Sequence, residues 1–170
     1  MMLPAVAALI PYFIKKPKVF FFGWLAAIPL SIMFGGLWEN VFLLLGFDDR
    51  LSYLTDDTYA EQFSNTGFRW DFLIYSASAV AVAAYFIFKK GLRDPFYTHM
   101  AGIYLISNAF WILVIRASYS NRFAYLSWFL MGLIIIYPVL KKYFFPDQYK
   151  LIGQVLVLYF AFTYVINVLL

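Results

Sequence analysis

Long apolar blocks alternate along this chain with short polar intervals. Roughly 20 apolar residues cross a bilayer. Five blocks approach or exceed that length: Val19 to about Gly46, Asp71 to Phe88, Phe96 to Ile115, Phe123 to Leu140 and Leu151 to Leu170. A sixth, Met1 to Ile14, is too short and carries Pro4 and Pro11. It reads as the tail of a span whose beginning is missing, or as a segment at the membrane interface. Pro29 and Gly35-Gly36 are candidate kink points in the first full block. In the second, Ser76, Ala77, Ser78, Ala79, Ala81, Ala83 and Ala84 allow a neighbouring helix to approach closely. The longest polar interval, Phe47 to Phe68, reads as a short amphipathic helix or an ordered loop lying over the membrane face. The expected fold is all-α: a polytopic helical membrane protein with about five full transmembrane helices plus a partial N-terminal one, in one domain spanning 1–170.

Composition strengthens that reading. Hydrophobic residues make up 64% of the 170 positions and charged residues 13%, with a mean hydropathy of +0.77. Soluble domains are about 45–50% apolar and about 25% charged, so a soluble core cannot absorb this much apolar surface. Aromatics reach 23%, more than interfacial belts require, so some rings pack between helices or line a cavity. The absence of cysteine excludes disulfides and thiolate metal sites. No signal-peptide pattern is evident, because the lysines follow the first apolar run instead of preceding it.

The net charge of +4 acquires meaning once it is divided between faces. Alternating the spans puts Lys15, Lys16 and Lys18 on one side with Lys89, Lys90 and Arg93, and with Lys141, Lys142 and Lys150. The opposite side has no lysine. By the positive-inside rule the lysine side is cytoplasmic. The outer side holds Arg50, Arg69, Arg116 and Arg122, together with Glu39, Asp48, Asp49, Asp56, Asp57, Glu61 and Asp71. Arginine offers a planar fork suited to phosphate or carboxylate. Charged groups near membrane depth tend to face a cavity, a partner or a substrate. An arginine at a span end also snorkels to the interface without further purpose, but a cluster of three outside runs against the positive-inside rule. Arg69 and Asp71, two apart, do not share a helix face, so their partners are expected from other segments. His99, the only histidine, lies near the inner end of its span and reads as structural or interfacial. Asn108, within a span, reads as a bond to a neighbouring helix. The acidic interval around Asp48 and Asp56 reads as a solvated loop. No metal-ligand spacing and no phosphate-cradling glycine motif occurs.

Several motifs resemble a known family. Gly67-Phe68-Arg69-Trp70-Asp71-Phe72 with Tyr75-Ser76, Asn108-Ala109-Phe110-Trp111, and Arg116-Ala117-Ser118-Tyr119-Ser120-Asn121-Arg122-Phe123-Ala124-Tyr125 with Ser127-Trp128 are similar to the C-terminal half of the EpsG family. That family groups with Wzy-like polymerases of bacterial capsule and exopolysaccharide synthesis. Its members are roughly twice this length, so the chain is expected to correspond to the C-terminal part of a longer architecture. The resemblance implies a multi-pass protein of the bacterial inner (cytoplasmic) membrane. It implies transfer of glycan, at the outer face, from a polyprenyl-diphosphate-linked oligosaccharide to a second lipid-linked glycan. Under it, Arg69, Arg116 and Arg122 hold the diphosphate, and Asn121 belongs to the same substrate-binding set. Asp71, or alternatively Glu39, accepts the acceptor proton, and Trp70, Tyr119 and Tyr125 stack on sugar or line the lipid path. The expected partners are membrane lipid and other polysaccharide-assembly membrane proteins, with no cofactor and no nucleic acid. Two rival readings share the motifs: a transporter or flippase-like protein for the same lipid-linked glycan, and a non-catalytic membrane subunit.

Overall fold

The computed structural model describes residues 3–35, 37–42, 68–116 and 121–165. These residues are almost entirely helical. The helices are α1 (Leu3–Phe13), α2 (Pro17–Phe34), α3 (Leu37–Phe42), α4 (Trp70–Ala84, running on into a π-helical turn at Tyr85–Lys89), α5 (Pro95–Leu113), α6 (Asn121–Lys141) and α7 (Gln148–Tyr164). Among the described residues, three helical stretches are long and apolar enough to cross a membrane: Pro17–Phe34, Trp70–Lys89 and Ala124–Lys141. The protein is therefore a membrane-associated helical protein. Three such stretches stand where five full spans were expected. α5 carries Thr98, His99, Ser107 and Asn108, and α7 is described over only 17 residues.

α5 is the centre of the bundle and packs against α1, α2, α4 and α6. Tyr97, Tyr104, Leu105, Trp111 and Ile112 are shut off from solvent. A helix packed against four others can carry polar groups wherever neighbouring side chains serve them, which accounts for its polar content. Asp94 starts it: its Oδ1 accepts from the N–H of Phe96 (2.9 Å) and Tyr97 (3.1 Å), with Pro95 in the first turn. Burial works to raise the Asp94 pKa. The N–H of Tyr97, the hydroxyl of Tyr137, the N–H of Phe96 and the Lys141 ammonium outweigh it and hold the carboxyl below its ordinary value.

Close approaches are made by small residues. A Cβ on Gly102 would come within 2.9 Å of the Pro11 ring, so α1 rests directly on the α5 backbone. On α4, Ser76, Ala79 and Ala83 form the buried stripe anticipated from the small residues of that segment. Over the described residues, the span expected from Val19 to about Gly46, with Pro29 and Gly35-Gly36 as possible kinks, is interrupted. α2 stops at Phe34, where Gly35 turns extended (φ −54°, ψ 137°), and α3 follows from Leu37. The side chain of Arg116 occupies the space beside Gly35, 2.9 Å from where a Cβ would stand. Gly35 is therefore a helix end and not a kink.

The three lysine-bearing turns share one end of the bundle. Lys15 and Arg93 border the same cavity, Lys141 lies 3.7 Å from Asp94, and the Lys90 ammonium sits over the Phe145 ring at 4.9 Å. The chain returns into α7 through Gln148, which bonds the carbonyls of Val139 and Lys142 and accepts from the Phe144 N–H. α7 is otherwise thinly attached. The hydroxyls of Tyr159 and Ser78 meet, and Tyr75 reaches Thr163 at 3.4 Å.

Pro138 sits inside α6 and removes the N–H that would serve the carbonyl of Ile134, four residues back. The buried hydroxyl of Tyr97 donates to that carbonyl at 3.0 Å. A neighbouring helix thus re-satisfies what the proline released, as apolar surroundings demand. Tyr97→Phe is expected to lower stability by about 1–2 kcal/mol. In a Pro138→Ala background, where the helix serves its own carbonyl, the same change should cost much less. Unfolding of the four variants in mixed micelles measures the coupling, and equal costs in both backgrounds would discard this account of Tyr97.

Candidate functional site

The described parts of two of the segments singled out by sequence, Arg69–Tyr75 and Tyr125–Trp128, meet at the end of the bundle opposite the lysines. Arg69 immediately precedes α4 and is not helical (φ −81°, ψ 83°). From there its guanidinium turns back on Asp71 in the first turn. Nε lies 3.1 Å from Oδ1 and a terminal nitrogen 2.7 Å from Oδ2. This corrects the expectation that Arg69 and Asp71 find partners in other segments. The rule that residues two apart face different ways holds inside a helix, and Arg69 lies outside one. Asp71 also places a negative charge at the positive N-terminal end of α4. The Arg69 guanidinium sits over the Phe72 ring at 4.1 Å, and Phe68 packs on Trp70 at 4.5 Å. Both charges remain accessible, the Arg69 side chain at 27% and the Asp71 side chain at 46% exposure.

Beneath the ion pair lies a cluster of rings around Trp128. Its neighbours are Phe72 at 5.1 Å, Tyr75 at 5.2 Å, Tyr125 at 5.7 Å and Trp111 at 6.1 Å. The Trp128 N–H donates to the Ser76 hydroxyl at 2.7 Å, and the Tyr104 hydroxyl donates to the Ser76 carbonyl at 2.8 Å. One turn deeper, Asn108 joins three helices. Its Oδ1 accepts from the Trp24 indole at 2.7 Å and its Nδ2 donates to the Ser127 hydroxyl at 3.0 Å. Asn108 is fully buried and does what was expected of it, a bond to neighbouring helices. In the sequence Trp128 stands out only through the motif Ser127-Trp128; what is legible is the inward face of α6, because Ala124, Ser127, Met131, Ile134 and Pro138 recur at three- and four-residue spacing, and all are buried.

The candidate residues divide into two groups. Arg69, Trp70, Asp71 and Tyr125 stand at the rim of the ring cluster, with Trp70 and Tyr125 more than half exposed. Arg116 lies apart from that ion pair in its contacts. It reaches the C-terminal end of α2, with a terminal nitrogen 3.5 Å from the Ile32 carbonyl. A cation is favourable at that negative helix end. Tyr119 and the side chains of Glu39, Asn121 and Arg122 lie outside the described residues, as does the acidic interval with Asp48 and Asp56. His99 is at the lysine end, in the cavity with Lys15 and Arg93.

Both Asp71 oxygens are occupied by Arg69, so any anion reaching that guanidinium would have to compete with Asp71 for the same fork. No protein-family model matches the chain, and no match appears among characterised proteins or solved structures. The resemblance to the EpsG family thus rests on the motif residues alone.

Exposed ion pairs contribute at most about 1 kcal/mol. Arg69→Lys and Asp71→Asn should therefore leave thermal stability within that margin. Trp128→Ala removes a hydrogen bond and a hub of ring contacts and should cost about 3 kcal/mol or more. Melting curves of the three purified variants check the ranking, and a melting loss for Arg69→Lys as large as that for Trp128→Ala reverses it.

Proposed function

We propose that this chain is a membrane protein of exopolysaccharide or capsule synthesis, of the EpsG, Wzy-like type. In this reading it transfers glycan from a polyprenyl diphosphate donor at the outer face of a bacterial inner membrane. The observation that supports it most is spatial. The three stretches that carry the resemblance, around Phe72, Trp111 and Tyr125–Trp128, converge on one ring cluster. An arginine–carboxylate pair lies at its rim.

In the proposed step the acceptor hydroxyl oxygen bonds to the anomeric carbon of the donor sugar. The bond from that carbon to the diphosphate oxygen breaks, and polyprenyl diphosphate leaves with the electron pair. Arginine forks carry the charge that develops on the leaving group. When the diphosphate takes Arg69 away from Asp71, the freed carboxylate accepts the hydroxyl proton. Arg122 and Arg116 complete the diphosphate set, Asn121 lines the same site, and Glu39 is the alternative base. Trp70, Tyr119 and Tyr125 supply faces for sugar or isoprenoid. The lipid-linked oligosaccharide and other assembly proteins of the membrane are the partners.

We also propose five full crossings, with α1 as a partial one. α5 starts beside the Lys141-paired Asp94 and runs to Leu113, 19 residues against 18 in α2 and 21 in α6. α7 climbs from Gln148 to Thr163, which meets Tyr75 near the Arg69 end. Cysteine placed at Lys90 should be sheltered from an impermeant thiol reagent in intact spheroplasts, and cysteine at Ser120 should react. The opposite pattern overturns the orientation and the site with it.

The chemistry is tested by complementation of surface polysaccharide in a strain lacking the corresponding gene. Arg122→Lys keeps the charge and loses the fork, and should lower polymer by about tenfold or more with membrane insertion unchanged. Replacing Arg50 should change little. Wild-type polymer from Arg122→Lys alongside a damaging Arg50 change refutes the arginine-fork assignment. Lipid-linked repeat units reaching the outer leaflet without being joined separate a lost polymerase from a lost transporter.

A further inference from the structure

The lysine end holds a cavity that the proposed glycan chemistry does not use. It lies between the α1–α2 turn and the start of α5, measures about 680 Å³, and is bordered by Tyr12, Lys15, Arg93, Thr98 and His99. Asp94 also borders it, but that carboxylate is already occupied by two backbone N–H groups, the Tyr137 hydroxyl and Lys141. Lys15 and Arg93 therefore leave the mouth cationic. Ile14 and Phe20 form its floor and belong equally to a second groove of about 400 Å³, which runs on between α2 and α5. Its walls are apolar: Val19, Leu30, Ile106 and Leu113, with Gly23 opening the α2 side. A Cβ on Gly23 would meet nothing within 4 Å.

We propose that this joined groove binds one anionic phospholipid from the lysine-side leaflet. Lys15 and Arg93 hold the phosphodiester, and one acyl chain lies along the α2–α5 furrow. The dimensions suit that occupant. Val19 to Leu30 rises about 16 Å at 1.5 Å per residue, close to half of a hydrocarbon core of about 30 Å. The charge suits it as well, since basic pockets between membrane helices on the lysine side recognise anionic headgroups. A zwitterionic headgroup brings its own ammonium against Lys15 and Arg93. A peptide strand in the lower furrow leaves backbone groups without partners.

The test uses the full chain in detergent micelles with dioleoyl phosphatidylglycerol and dioleoyl phosphatidylcholine as probes, and native mass spectrometry as the readout. The anionic lipid should bind at least tenfold more tightly. The double variant Lys15→Gln/Arg93→Gln should lose that preference, while Lys142→Gln, outside the groove, keeps it. Gly23→Leu puts a side chain into the furrow from a position whose Cβ meets nothing within 4 Å, and should weaken both lipids while leaving the lipid-free melting temperature no lower. Soluble glycerol phosphate should not displace bound lipid. Equal binding of the two lipids, a preference that survives in the double variant, unchanged affinity in Gly23→Leu, or displacement by glycerol phosphate each overturns the proposal.

Discussion

The side-chain amide of Asn108 holds the bundle in register. Between membrane helices the hydrophobic effect offers no preference for protein over lipid, so packing and interhelical hydrogen bonds set the arrangement. Asn108 spends its carbonyl on Trp24 of α2 and its amide nitrogen on Ser127 of α6. Ser127 in turn donates to the Ala124 carbonyl. A rotation of either helix would break a bond in a place where water cannot replace it. Because Trp128 follows Ser127 in sequence, fixing Ser127 also fixes where the indole points, and with it Ser76, Phe72 and the start of α4.

That chain of constraint reaches the charged rim from below. Arg69 and Asp71 add little to stability themselves. Phe72 and the Trp128 cluster hold the first turn of α4 that presents them. In the proposed reading the guanidinium exchanges Asp71 for a phosphate, and an exposed pair of this kind contributes at most about 1 kcal/mol to holding the helices. Arg116 is in a different position, because it lies against the α2 end where Gly35 leaves it room. Moving it to a substrate would uncover that helix end. The two described arginines are thus unequal: Arg69 holds an exposed carboxylate, and Arg116 holds a helix end.

Much of the architecture was legible in the alternation of apolar blocks with basic turns. The common end of the three lysine turns follows from that alternation alone, and Asn108 could be assigned to a helix contact because a buried amide in an apolar segment has few other uses. The small-residue stripe of α4 was visible in the same way. What escaped depends on tertiary placement. Gly35 ends α2 beside the Arg116 side chain, a neighbour 81 residues further on that no local pattern names. The carbonyl orphaned by Pro138 is visible in sequence, but its donor, Tyr97, is not. The Arg69–Asp71 pair was missed because a helical spacing rule was applied to a residue just outside the helix. Of the candidate site, the rim formed by Arg69, Trp70, Asp71 and Tyr125 is placed, whereas the parts carried by Tyr119, Asn121, Arg122 and Glu39 are argued from the motifs.

The two ends of the bundle use cations differently, and the side chains chosen fit the difference. At the lysine end, point charges lie over rings or beside a carboxylate that already has hydrogen bonds: Lys90 over Phe145, Lys142 over Phe144 and Lys141 near Asp94. A strongly hydrated ammonium on a flexible stem suits a surface that meets water and lipid headgroups. At the other end the described cations are arginines whose planar groups are aimed: Arg69 at a carboxylate with two parallel bonds, Arg116 at the carbonyl end of a helix. Directional donors matter where a ligand must be held in one orientation, and they matter little where only charge is needed. Among the described residues, the lysine-rich end thus sets ammonium groups over rings or beside a carboxylate, and the other end aims its guanidinium groups at oxygen acceptors.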